Sequence, residues 1–263
     1  MGRYKFLNLA PTNTEKAIAV LNSFNTGDQT AFSAYVNPDN YIQHNLSAPD
    51  GAAAFGGMIQ MGPSKGFSAE VIRSFEDGDY VFTHSKYNFF GPQVGFDVFR
   101  FENGLIVEHW DNLLPIQEPN PSGRTQLDGA TEITDLDKTE ANKETVKGLI
   151  ENVFMKGEMD KVGNYFDPEY LQHNPAVGDG LAGLQGAMQA FAKNGMVMEY
   201  SQLHKVLGEG NFVLTLSEGK FGKNEPTAFY DLFRLEEGKI VEHWDVISTI
   251  PPKSDWKNEN GKF

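Results

Sequence analysis

Between Val146 and Phe154 the apolar residues fall at Val146, Leu149, Ile150, Val153 and Phe154, the single stripe of an amphipathic helix. Ala17, Val20, Leu21 and Phe24 keep the same spacing early in the chain, and Thr12 with Glu15 forms a capping-box pattern before them. Gly27 and Gly157 stand where these helices should stop. A short second helix is predicted around Phe32, Tyr35 and Val36, matched later by Val162, Tyr165 and Phe166. A third is clearest at Leu181, Leu184, Met188 and Phe191. The period then changes. Four strands rich in β-branched and aromatic residues are predicted in the first half, at about 67–75, 79–88, 95–101 and 105–114.

The two halves repeat each other. "YIQHN" at 41–45 returns as "YLQHN" at 170–174, and "DVFRFENGLIVEHWD" at 97–111 returns without a gap as "DLFRLEEGKIVEHWD" at 231–245. A polar, turn-rich stretch, "EPNPSGRTQLDGATEITDLDKTE", separates the copies, and the end of the chain, "PPKSDWKNENGKF", resembles its start. The expected organisation is two tandem α+β domains, 1–127 and 139–263, joined by a linker at 128–138.

The last hairpin of each copy orders the polar residues. "FENGL" and "LEEGK" read as three-residue loops with glycine third, in the left-handed position. That register sets Phe101 across from Leu105, Asp97 across from His109 and Asp231 across from His243. By strand alternation Asp97, Phe99, Phe101, Leu105, Val107, His109 and Asp111 share the face closed by helices. Val98, Arg100, Ile106, Glu108 and Trp110 face outward, with Arg100 and Glu108 placed for an ion pair. An Asp–His pair and a second Asp on an apolar face are either a satisfied structural network or a site. Of six histidines, His44 recurs as His173 and His109 as His243; His84 and His204 have no repeated partner and read as incidental. Two histidines and two aspartates per copy also suit a metal, but no close ligand spacing supports one, so none is expected. Trp110 and Trp244 read as packing residues on the outward face, fit for a domain interface.

Composition narrows the functions. The chain of 263 residues is 40% hydrophobic and 12% aromatic, enough for real cores. Its net charge of −14 argues against nucleic acid and against adsorption to anionic membranes. No apolar run reaches the length of a membrane span. There is no cysteine, hence no disulfide and no thiolate nucleophile or ligand. "MGRYKFLNLAPTN" lacks the apolar core of a signal peptide, which makes a cytoplasmic location the expectation.

The "QHN" segment, the "VEHWD" hairpins and the helical openings together resemble the SnoaL-like branch of the nuclear transport factor 2-like superfamily, one unit per copy. The resemblance implies two cones of the nuclear transport factor 2-like or cystatin-like type. Each would be a curved, mostly antiparallel sheet wrapped around helices with an apolar pocket between. Relatives of this fold often pair sheet to sheet, so a pseudo-twofold dimer within one chain is expected, with a further homodimer left open. Relatives of this fold include polyketide cyclases, ketosteroid isomerases, scytalone dehydratase and limonene epoxide hydrolase, as well as many proteins with no known reaction. The resemblance implies cofactor-independent acid–base chemistry beside a carbonyl of a small apolar molecule: aldol-type cyclisation, isomerisation or dehydration, the work of a lyase or isomerase. The family's pocket aspartate matches Asp111 and Asp245. His109 oriented by Asp97, and His243 by Asp231, is the alternative base, with His44 or His173 polarising the substrate oxygen. A non-catalytic binding or assembly module of the same fold is the competing expectation.

Overall fold

Each copy wraps its helical stripe into the hollow of a five-stranded sheet. The computed structural model describes residues 10–263; the reading of a missing leader concerns residues that in part lie outside these. In the first copy, α1 (Asn13–Asn22) is closed by the expected capping box of Thr12 and Glu15. It is followed by α2 (Thr30–Tyr35), β1 (Ile42–Gln43) and α3 (Ala52–Lys65), then β2 (Ser68–Asp77), β3 (Tyr80–Asn88), β4 (Pro92–Glu102) and β5 (Leu105–Pro115). The second copy runs α4 (Thr139–Gly148), which continues as a π-helical turn over Leu149–Met155, then β6 (Phe166–Gln172) and α5 (Gly180–Lys193). It ends with β7 (Val197–Glu209), β8 (Phe212–Gly222), β9 (Glu225–Glu236) and β10 (Lys239–Thr249). The sheet orders are β1-β5-β4-β3-β2 and β6-β10-β9-β8-β7. Among the described residues no helix is long and apolar enough to cross a membrane.

Two sequence expectations need correction. Each sheet has five strands, because the "QHN" segment itself adds a strand parallel to the last hairpin, with Gln43 beside His109 and Gln172 beside His243. The hairpin loops hold two residues. Glu102 pairs with Leu105 and Glu236 with Lys239, while Asn103–Gly104 and Glu237–Gly238 all take positive φ, as a type I′ turn requires. A bulge follows at once in each, so that Phe101 pairs with Ile106 and Arg100 with Glu108. The shorter turn reverses side-chain parity and the bulge restores it. His109 and Asp111 therefore keep the inward face, but Asp97 lies across from Asp111, not His109, and Asp231 lies across from Asp245. Between turn and bulge the parity stays reversed. Ile106 thus points inward and packs with Phe101, not outward as expected, and Leu105, expected inward, pairs with the exposed Glu102 on the other face.

Each inner face builds its own core: Val20, Phe24, Phe55, Ile59, Phe99 and Phe101 in the first copy, Val146, Ile150, Phe166, Phe229 and Phe233 in the second. The outer faces build a third core together. Phe82, Phe96, Val98 and Trp110 from one sheet pack with Leu214, Leu216, Tyr230, Leu232 and Trp244 from the other. Across this interface the contacts are reciprocal, as an approximate twofold axis demands. Arg73 lies 4.4 Å over the Trp244 ring and Lys205 lies 4.2 Å over Trp110. The buried guanidinium of Arg73 also donates to the carbonyls of Leu127, Asp128 and Ala130 and to His84 Nδ1. His84 is thus part of the interface and not incidental.

The segments that leave each copy cross to the other. Asn120 donates to the carbonyls of Gln172 and Val177 in the second copy, and Asn258 to those of Asn45 and Ala48 in the first. Gly129, at φ +100°, passes so close to Glu242, Trp244 and His173 that a Cβ would lie 2.3 Å from a Glu242 oxygen. Only glycine fits there.

The shared core makes the copies one folding unit. Trp244→Ala should cost about 3–5 kcal/mol, and urea unfolding followed by tryptophan fluorescence and by far-UV circular dichroism should remain one coincident transition. Two separated transitions, of which only one moves, would contradict a shared core.

Candidate functional site

In the second copy β6 and the β9–β10 hairpin bring five polar side chains onto the floor of one cavity. Parallel pairing sets Gln172 beside His243, and alternation sends the next residue, His173, to the opposite face. Gln172 Oε1 accepts from the backbone N–H groups of His173 and Asn174, both at 2.9 Å, which fixes this atom as the oxygen. It faces His243 Nδ1 at 3.0 Å, so Nδ1 carries a proton. His243 Nε2 faces Asp231 Oδ1, also at 3.0 Å. Burial disfavours the imidazolium, but the hydrogen bond to Asp231 and the charges of Asp245 and Asp231 outweigh it. The His243 pKa is therefore raised above the ordinary histidine value.

Asp245 completes the group and, among the described residues, accepts from the Asn174 amide alone, at 2.8 and 2.9 Å. Burial pushes its pKa up to about 6, with the Asp231 charge adding to the rise and His243 and Asn174 opposing it. Tyr200 donates to Asp231 at 3.1 Å. Over this floor stands a cavity of about 260 Å³ whose walls are chiefly apolar, including Phe154, Phe166, Leu184, Met188, Phe191 and Met198.

The first copy repeats the floor with little room above its histidine. His109 lies 3.0 Å from Asp97 and 3.1 Å from Gln43 Oε1, Asn45 donates to Asp111 at 2.8 Å, and Tyr87 donates to Asp97 at 2.6 Å. Burial raises the pKa of Asp97. The cavity over Asp97 and His109, however, is about 70 Å³; a separate, more polar hollow of about 460 Å³ reaches Asp111 from the side of Phe90, Gln93 and Lys262 without touching Asp97 or His109. The shrinkage over His109 has a named cause. Asp50 and Asp179 occupy matching positions, each accepting from the backbone of the strand glutamine. The fifth and eighth residues after them are Phe55 and Met58 in the first copy, Leu184 and Ala187 in the second. Phe55 lies nearly parallel to the His109 ring, with centroids 6.1 Å apart. From the far end of the chain Lys262 donates to the Asp111 carbonyl and sets its ammonium 4.0 Å from the carboxylate.

Of the expected site residues, the structure therefore unites Asp97, His109 and Asp111, and likewise Asp231, His243 and Asp245. It does not bring His44 or His173 to them. His44 stacks on Trp110 and lies 2.8 Å from Glu108, with Nδ1 toward the Gly261 carbonyl. His173 stacks on Trp244, 2.9 Å from Glu242, with Nδ1 toward the Thr125 carbonyl. Both are clamps for the crossing segments, on the outer face of their sheets. In "QHN" the inward residues are Gln and Asn, a fact that strand alternation could have supplied. Tyr87 and Tyr200 sit on non-equivalent strands, β3 and β7, and no repeat marks them. In each copy one nitrogen and two carboxylates come within 4.8 Å of one another, a spacing that also suits a metal ion.

Residues 17–109 and 146–243 match the model of the SnoaL-like domain. No curated protein matches the chain. Among solved structures, an NTF2-like protein of unknown function from Cytophaga hutchinsonii is 15% identical over 41% of this chain and 96% of its own, with a TM-score of 0.36. A cystatin-like-fold protein from Xanthomonas campestris is 19% identical over 44% and 98%, TM-score 0.36. IdmH from Streptomyces antibioticus, a candidate polyketide cyclase, is 18% identical over 41% and 91%, TM-score 0.33.

The raised Asp245 pKa has a measurable consequence. Its protonated form is favoured by folding, so its contribution to stability is full below about pH 4 and is lost as pH rises through about 6. Asp245→Asn should thus raise the melting temperature at pH 8, by the equivalent of at most about 3 kcal/mol, the attraction to His243 being already contained in the shifted value. The gain should vanish toward pH 4. A gain independent of pH, or a loss at pH 8, would contradict the assignment.

Proposed function

Because the chain belongs, over both of its halves, to the SnoaL-like domain family, we propose that its second copy binds a small, largely apolar carbonyl compound and moves a proton beside the carbonyl. The observation that carries this reading is the pairing of a 260 Å³ apolar cavity with Asp231, His243 and Asp245 at its floor. Asp245 is the base. A carboxyl group poised at about 6 is ionised in useful amount near neutral pH yet returns a proton readily. His243 has no free lone pair while Gln172 and Asp231 hold both nitrogens, so it acts as a fixed positive neighbour. In the step, Asp245 takes the proton from the carbon next to the carbonyl and the electron pair moves onto the oxygen as an enolate. The carboxylic acid then gives the proton back. In isomerisation it goes to that carbon or another. In dehydration it goes to the β-hydroxyl, which leaves as water as the enolate reforms the carbonyl. In aldol-type closure it goes to the oxygen of a second carbonyl whose carbon the enolate carbon has attacked. This sequence serves isomerisation, dehydration and aldol-type closure alike, and it requires no cofactor.

The first copy supports no equivalent role. With Phe55 over its histidine and Lys262 against its aspartate, it is better suited to holding the C-terminal segment than to turnover.

Proton abstraction can be tested without the natural substrate, by following exchange of the α-hydrogens of 1-tetralone and related small ketones in D2O by NMR. The protein should accelerate exchange, and Asp245→Asn should reduce the acceleration by about a hundredfold or more. Asp111→Asn should leave it unchanged. Binding of the ketones without any acceleration would make the second copy a binding module. Acceleration that is lost on chelation and restored by one divalent ion would assign the Asp231–His243–Asp245 group to a metal.

A further inference from the structure

One wall of the second copy's cavity comes from the first copy. Leu114 at the end of β5, with Gln117 and Gln126 from the crossing segment, lines it. That segment is held firmly: Asn120 bonds Gln172 and Val177, Arg124 pairs with Asp179 at 2.9 Å, and the Thr125 carbonyl meets His173 at 2.7 Å. Gln126 follows directly and is 5% exposed. Its Oε1 faces the backbone N–H of Gln117 at 2.9 Å. A backbone N–H only donates, so the side-chain amide is fixed with oxygen toward Gln117. Its Nε2, with two hydrogens to give, donates to nothing among the described residues.

The other polar groups on the cavity wall are differently disposed. Asp231 and Asp245 only accept when ionised. Asn174 is spent on Asp245, and Gln172 Nε2 on the Tyr170 hydroxyl at 3.2 Å. Gln117 is exposed to solvent. Tyr170 keeps one proton to give, but the same tyrosine recurs in the first copy as Tyr41, where Gln43 bonds it at 3.1 Å. Gln126 is the donor particular to the open pocket. Where the second crossing segment enters the first copy, it brings Lys262 against Asp111 instead.

We infer that Gln126 holds the carbonyl oxygen of the ligand in the second copy's pocket, so that the site of one copy is completed, and its preference for a hydrogen-bond-accepting oxygen set, by the other. This rests on the pocket proposed above. Cavity walls of this composition bind apolar bodies indiscriminately, whereas a donor that the ligand cuts off from water penalises any ligand that offers it no acceptor.

The test uses 1-tetralone labelled with 13C at the carbonyl, and tetralin, the same body without the oxygen. Gln126→Glu keeps the acceptor for Gln117 and removes the donor; Gln126→Met is the second variant, should an added charge disturb folding. In both, the infrared carbonyl stretch of bound tetralone should rise toward its value in apolar solvent, and its affinity should fall about five- to tenfold. Tetralin affinity should not fall. An unchanged stretch in both variants, or an equal loss of affinity for tetralin, would overturn the role of Gln126 while leaving the pocket intact. Failure of the unaltered protein to bind tetralone would overturn the pocket itself.

Discussion

A curved sheet with helices in its hollow leaves a second apolar face bare, and the pairing of those bare faces is the constraint on which this molecule rests. Phe82, Phe96, Trp110, Leu214, Tyr230 and Trp244 have no helix to cover them within their own copy, so each sheet supplies the other's missing layer. Burying large aromatic and aliphatic side chains contributes roughly 1.5–3 kcal/mol apiece. The interface is therefore a core in its own right. Its consequences reach further than stability. With the sheets back to back, the segment leaving one copy runs onto the other, where Trp110 and Trp244 receive the cations Lys205 and Arg73, and His44 and His173 receive the passing backbone.

Within that near symmetry the copies have diverged at a few positions. Exchanging a phenylalanine and a methionine for leucine and alanine on the helix above the floor accompanies a cavity nearly four times larger. The polar floor is the same in both. One copy keeps an apolar pocket over its histidine and both aspartates, and the other keeps the polar network under Phe55, with the chain end packed against it. The duplication also gives the open pocket a wall that a single copy would lack.

Much of this was legible in the sequence. The helical stripes, the repeated hairpins and the period-two alternation of "FRFENGLIVEHWD" located the helices, four of the five strands and the inward face of Asp97, His109 and Asp111. The exact pairing was not legible. "ENG" and "EEG" admit a two-residue turn followed by a bulge as readily as a three-residue loop, and the two differ in the faces of Leu105 and Ile106 and in the cross-strand partners, those of Phe101 and Asp97 included. His44 and His173 misled because repetition marks any constrained position, structural clamps included. Gln126 carried no signal at all: its place depends on a segment crossing from one copy to the other, a long-range fact that no local pattern encodes.

The central claim is that the second copy alone is the ligand site, and crystals soaked in 1-tetralone test it most directly. The account predicts difference density for one molecule in the cavity above Asp231, His243 and Asp245, with its oxygen toward Gln126 and none in the cavity beneath Phe55. Density above Asp97, His109 and Asp111, or in neither cavity at a concentration where binding is seen in solution, would contradict it.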